Sequence, residues 1–284
     1  ELFSWANKMA PSWKWLYYEA LTYWQHNQPE VARNLFLSCE NDPDFAPFYL
    51  AKARLFREDP SIVQASVEKA NALDPASWRI GMEMVNLYLE KNQPENALQV
   101  AEKTYQSHSG KCMVVLQYAN VLKLNGKYAE TLKTLSQLEM LPAESDKWSG
   151  DINAHALFRA TNVLSAIDRM KAGKWGKALA CLKDAETWPE NLGWGEPYFP
   201  DNRLTQFFSA YCYEQLNDKA QVERSFYYII QYKNPDGRSG PLGNKLSSLV
   251  KEGNRNYISI TESLIDSQFK TRDIELLKAF QDIL

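Results

Sequence analysis

Along most of the chain apolar residues recur three and four positions apart in runs of about ten to fifteen, the pattern of helices that bury one face. The runs come in pairs. Within each pair a polar turn rich in Asn, Gly or Pro separates the two members, and a small residue marks where the helices cross. "HNQPEVARNLF" from His26 and "KNQPENALQVA" from Lys91 align over Asn-Gln-Pro-Glu and a following Ala, 65 positions apart. About half of that distance, ~31–34 residues, is the period of a helix-turn-helix repeat stacked in a solenoid.

Six such repeats can be read between Trp13 and Pro235. The first carries Ala20 and Ala32 and stops at Pro43; the second carries Ala51 and Ala70, turns at Asp59-Pro60 and stops at Pro75. The third has Tyr88, the turn Asn92-Gln93-Pro94 and Ala97, and the fourth has Ala119, Gly126-Lys127-Tyr128 and Pro142. The fifth holds Ala166, Gly173, Ala178, Ala185 and Pro189, and the sixth Ala210, Asn217-Asp218 and Phe226. Local chemistry supports these boundaries. Pro29, Pro60 and Pro94 sit at helix starts, where a missing N–H costs nothing, and Asp59 is suited to cap such a start. Gly126 and Gly173 suit the left-handed residue that ends a first helix. Asp42-Pro43 and Asp74-Pro75 close second helices, because the residue before Pro leaves the α region.

A tyrosine before the turn, Ala at the crossings and a second helix closed by Leu-Asp-Pro resemble the tetratricopeptide repeat. That resemblance covers roughly Trp13 to Pro235. It implies an all-α fold, an α-solenoid in the form of a right-handed superhelix of about six helix pairs, with first helices lining a concave groove. The expected division is a lead-in over 1–12, the repeat array over 13–235, and a helical C-terminal cap over 236–284. Two departures stand out: the third repeat lacks a closing Pro, and the second has Val63 where a small residue is usual.

The repeat spacing lengthens twice, near 139–158 and 186–203, both times between one repeat and the next. Such connections lie on one edge of a solenoid. The first insertion, "MLPAESDKWSGDINAHALFR", predicts that the fifth repeat's first helix starts early, near Asp151, and overhangs the stack. The second, "ETWPENLGWGEPYFPDNR", carries Trp188, Trp194, Tyr198 and Phe199 within reach of Trp148, Leu157 and Phe158. Packing of that overhang and contact with a ligand both stay open for it. Its residues Trp188, Asn191, Trp194, Glu196, Tyr198 and Arg203 are the candidates for an edge site. "Pro-Glu-Asn-Leu-Gly-x-Gly", Pro189 to Gly195, also resembles a loop of large bacterial proteins, common among gut Bacteroidetes, that carry such repeats behind an N-terminal β-sandwich region of unknown function. By that resemblance a further domain precedes this segment in the same chain.

Composition narrows the function. A formal charge of −3 lacks the basic face of a phosphate-backbone binder, which disfavours nucleic acid as a partner. No run of about 18 apolar residues exists to span a membrane. The sequence begins at Glu1 with neither an initiator Met nor a basic-then-apolar leader, as a piece of something longer would; a cytoplasmic compartment is slightly favoured, and export stays open because the native N-terminus is absent. Cys39, Cys112, Cys181 and Cys212 lie far apart and read as free thiols. His26, His108 and His155 stand in separate repeats without ligand spacing, so no metal is expected. "GRSGPLG" is no phosphate loop, and Glu144 and Asp146 sit in polar loop. Neither catalysis nor a cofactor is expected.

Binding is the expected activity, with a protein or peptide partner. The inward positions of the first helices are Tyr17, Tyr49, Lys52, Arg79, Glu83, Asn86, Glu90, Gln117, Asn120 and Lys123. Asn86 and Asn120 fall at equivalent places, the kind of ladder that pairs with a peptide main chain. Two other roles stay open: a structural tail packed on a preceding domain, or a glycan or small-molecule site in which Trp194 or Tyr198 stacks on the ligand. "SWANKMAPSWKWLYYEALTYWQ" packs four tryptophans and three tyrosines together, which suits either a core or an exposed aromatic patch.

Overall fold

The computed structural model describes residues 2–39, 43–140, 153–235, 237 and 240–284. Five of the six repeat turns are built by the same hydrogen bond. In these five the residue after the turn's left-handed position donates its N–H five residues back: Gln28 to Tyr23, Gln93 to Tyr88, Lys127 to Leu122, Lys174 to Arg169 and Asp218 to Tyr213. The left-handed residues are Asn27, Asn92 and Asn217 at φ of 58°, 55° and 59°, and Gly126 and Gly173 at 71° and 67°. Asn and Gly are the types that tolerate this conformation, and the bond satisfies carbonyls a helix end leaves orphaned. The second repeat uses different chemistry: Asp59 accepts from the N–H groups of Ser61 and Ile62 at 3.0 and 3.2 Å, with Pro60 opening the helix.

The described residues form α-helices and one short 3₁₀ turn, with no strand among them. The chain divides into two compact units, Glu1–Ser109 and Gly110–Leu284. The first holds α1 (Leu2–Met9), α2 (Trp13–Gln25), α3 (Pro29–Leu37), α4 (Ala46–Leu55), α5 (Pro60–Leu73), α6 (Trp78–Glu90) and α7 (Pro94–His108). Its contacts run chiefly between sequence neighbours, pair within pair and pair on pair. Ala20, Ala32, Ala70 and Ala97 are fully buried at the crossings. In α4 the buried small residue is Ala53 rather than Ala51, which is half-buried. The aromatic-rich start is divided: Tyr17 is core and packs with Phe36 and Phe48, with centroids 4.9 to 6.0 Å apart, Trp13, Tyr23 and Trp24 are half-buried against that cluster, and Phe3 of α1 stacks on Trp15 and on the exposed Tyr18. Trp5 remains on the surface.

The second unit holds α8 (Cys112–Leu124), α9 (Tyr128–Ser136), α10 (Ala154–Lys171), α11 (Trp175–Asp184), α12 (Arg203–Gln215), α13 (Lys219–Gln231), α14 (Pro241–Lys251), α15 (Tyr257–Ile265) and α16 (Asp273–Gln281). Ala119, Ala166, Ala178 and Ala210 are again fully buried. The repeat's turn recurs once more between α14 and α15, where Gly253 adopts φ 90° and Asn254 donates to Leu249. α10 runs for 18 residues, longer than the 13 of α8 or α12. Its first turn is capped by Asn153, which accepts from the Ala156 N–H at 2.7 Å. Asp42, Pro142, Glu144, Asp146, Trp148 and the expected helix start near Asp151 lie outside the described residues. Leu246, Val250, Ile260, Leu264, Leu276, Leu277 and Phe280 from the last three helices share one core with α10 to α13.

Candidate partner-binding surfaces

In the first unit the first helices α2, α4 and α6, with Val63 and Val67 of α5, leave an open cavity of about 300 Å³. Glu83, Asn86 and Glu90 of α6 line it together with Trp24, Arg54 and Arg57. Geometry is set by the Arg54 guanidinium, which donates to Glu83 Oε1 at 2.7 Å, and by the Asn86 amide, 3.4 Å from Glu83 Oε2. The result is a mixed-charge wall beside one indole. Trp24, Arg54 and Arg57 were not among the expected groove residues; their signal is that a Trp and two Arg fall at helix ends, just before a turn.

Other expected groove residues are placed differently. Tyr17 and Tyr49 are core residues, 8% and 5% exposed, because the aromatic cluster of α2 to α4 takes both rings. Arg79 is exposed and lies over the Trp78 ring at 4.3 Å. Lys52 is half-buried near Cys39, whose thiol burial pushes up. Asn86 and Asn120 fall in different units.

In the second unit the inner face is covered by the chain's own last helix. α16 lies against α10, and three anchors tie it to the first helices of the fourth, fifth and sixth repeats. Glu275 accepts from Lys123 Nζ at 3.1 Å, Asp273 from Arg159 at 2.9 Å, and Phe280 packs on Phe208 with centroids 4.6 Å apart. Lys123 is therefore 9% exposed and ion-paired, and Gln117 is buried at 5%. Both correct the expectation of residues open to a partner, since Glu275 of α16 holds Lys123 and Gln117 is buried on α8. Asn120 is half-buried on α8.

The 186–203 loop has two fates. Its first half packs: Trp188 stacks on His155 at 3.5 Å and 9°, at the start of the long α10. Asn191 donates to the carbonyls of Leu135 and Leu138 at 2.9 and 2.7 Å, and its own carbonyl accepts from the Met140 N–H. It closes the end of α9 in the way a cap does. Arg203 corrects its expected role as well. It is 2% exposed, and its fork grips Asp201 while Nη1 donates to Asn244 and Ser247, so it is a structural strut and not an edge ligand. Trp194 is half-buried, its Nε1 without a hydrogen-bond partner among the described residues. The second half of the loop is bare: Glu196 is exposed and Tyr198 is 96% exposed.

Each histidine contacts a backbone carbonyl, His26 with Thr22, His108 with Ala76 and His155 with Thr187. No group of three or more metal-type side chains forms among the described residues, and no helix among them is long and apolar enough to cross a membrane. Burial, with Arg159 adding to it, holds the His155 pKa below 6.5, while the bond to Thr187 acts in the opposite direction. The unfolded chain therefore takes this proton first: stability is complete above about pH 6.5 and declines as pH falls through the folded-state value. Between about pH 7 and about pH 5 the melting temperature should fall less in His155→Phe, which keeps the stack on Trp188, than in the parent. Parallel declines would remove this account.

No family model matches the chain, and no curated protein matches it. Among solved structures, PilW, a widely conserved type IV pilus biogenesis factor, is 13% identical over 76% of this chain and 91% of its own, with a TM-score of 0.45. Pseudomonas aeruginosa pilF is 15% identical over 84% and 95%, with a TM-score of 0.42. A tetratricopeptide repeat protein from Parabacteroides merdae is 9% identical and matches over 95% of this chain and 98% of its own, with a TM-score of 0.51. At that identity the likeness speaks for architecture alone, and the architecture of this chain is that of the tetratricopeptide repeat proteins, an all-α solenoid of paired helices.

Proposed function

We propose that the chain is a non-catalytic scaffold that binds a protein or peptide, and that the inner face of its first unit receives the partner. One observation carries this reading. The first helices of the second unit already hold a helix, α16, through two ion pairs and a buried ring. The corresponding helices of the first unit, together with α5, present an open cavity with charged and apolar walls and an indole. Segments docking on such a preformed surface lose little freedom in the receptor, which favours binding. Glu83, paired with Arg54, and the amide of Asn86 give the cavity a polar wall suited to a peptide main chain.

A photo-crosslinker placed at Glu90 in the full chain should capture a discrete partner from cells of the source. The double variant Glu83→Ala, Asn86→Ala should weaken the purified partner by about tenfold, since a few central contacts carry most of an interface. Undiminished affinity in that variant, with its fold intact by circular dichroism, would count against the groove.

A further inference from the structure

We propose that the second unit carries a separate recognition site for an extended, proline-containing peptide bearing an acidic residue. The site uses none of the groove residues. It is a surface cavity of about 570 Å³ formed by the bare half of the 186–203 loop and the outer face of α13. Tyr198, Phe199 and Tyr227 are 96%, 42% and 65% exposed. Tyr228, Tyr232 and Pro200 complete the wall. So many rings on one surface exceed what scattered exposed apolar residues explain, and their contiguity marks an interaction site.

The platform is fixed before any ligand arrives. Tyr228 Oη donates to the Pro200 carbonyl at 3.2 Å, and Tyr232 Oη donates to the Phe199 carbonyl at 3.0 Å. The buried Arg203 guanidinium sits 4.4 Å from the Tyr232 ring, on the core side. These bonds clamp the loop onto α13, so little ordering cost falls on binding.

The chemistry of the lining selects the occupant. Arg224, Lys233 and the amides of Asn202 and Gln231 edge the cavity, and no carboxylate is among its described lining residues. Neither Arg224 nor Lys233 has an ion-pair partner among the described residues. Nearby Asp201 is held by Arg203, and Glu186 accepts from Thr205 and Gln206. The two tyrosine hydroxyl protons are committed to the loop. What remains is mostly donors and positive charge over flat aromatic walls. A proline-rich strand is the complement: it offers carbonyl acceptors with few N–H groups, presents ring faces to aromatics, and is extended before it binds. An acidic residue beside the prolines meets Arg224 and Lys233. A neutral glycan, whose hydroxyls need acceptors as often as donors, matches this lining less well.

The test uses calorimetric titration of the full chain with a synthetic peptide of about nine residues, prolines interrupted by aspartates. Binding is expected, with at least about tenfold loss in Tyr198→Ala, Tyr227→Ala and a comparable loss in Arg224→Glu. Both tyrosines are exposed, so unchanged melting temperatures confirm that folding is intact. Replacing the prolines by alanine, or the aspartates by lysine, should abolish binding. The Glu83→Ala, Asn86→Ala variant should bind this peptide normally, which separates failure here from failure of the groove. The proposal is overturned by no binding of the acidic oligoproline, by equal binding of the alanine peptide, or by binding that survives the tyrosine variant. Binding of cellohexaose or maltohexaose that depends on Tyr198, without binding of the peptide, would assign the site to glycans and overturn it as well.

Discussion

Arg203→Ala is expected to lower folding stability by about 3 kcal/mol, the size of loss seen when one partner of a buried ion pair is removed. The guanidinium is buried and meets Asp201 through two parallel bonds of 2.8 and 2.7 Å. Nη1 adds Asn244 and Ser247 at 3.0 Å each, and Tyr232 lies over the charge. One side chain thus joins the loop, α12, α13 and α14. Its loss leaves a carboxylate without its cation and a void where a planar fork was packed. Lysine should restore little, because an ammonium cannot reproduce the fork. Pressure from the opposite side should act in the same direction: a Cβ at Gly243 would stand 2.5 Å from Arg203 Nη2. Chemical denaturation of the purified variants measures the effect, and a loss below about 1 kcal/mol in Arg203→Ala would mean that the pair gives little beyond a surface bridge.

Phe280→Ala is expected to cost about 3 to 5 kcal/mol and to free the last helix. The ring is fully buried, with Phe208, Tyr211 and Phe207 at centroid distances of 4.6, 5.2 and 5.9 Å. The ion pairs Lys123–Glu275 and Arg159–Asp273 are partly exposed and contribute far less. Burial of Phe280, with Leu276 and Leu277, therefore decides whether α16 stays docked. Trypsin should cut the variant rapidly at Lys270 or Arg272 while the parent resists. Equal resistance would show that the helix is held by something other than its apolar face.

The repeat was legible because it rests on local chemistry. Asn27, Asn92 and Asn217 stand where a left-handed residue is needed, prolines open second helices, and alanines sit at crossings, all within one turn of their cause. Packing at a distance was not legible. Nothing near Lys123 announces that Glu275, 152 residues away, will cover it. Arg203 read as a surface residue because the three groups that bury it come from other elements. Asn191 read as part of a loop, although its amide closes the end of α9 more than 50 residues earlier. The aromatic surface was half visible: Tyr198 and Phe199 stood out, but Tyr227, Tyr228 and Tyr232 were hidden in a helix counted as ordinary repeat. Their signal is that tyrosines follow Phe226 on neighbouring positions, more than a single buried stripe can absorb.

The docking of α16 also bears on how this chain is made. A solenoid of neighbour-on-neighbour contacts can fold as it leaves the ribosome, each pair settling on the one before. The first unit is built in that manner. The second is not, because α8, α10 and α12 wait for α16, and a contact spanning 152 residues must close before their inner face is dry. Until α16 has been made and docked, that face is an apolar surface in need of shielding, and any cut between α15 and α16 that releases the helix would expose it again.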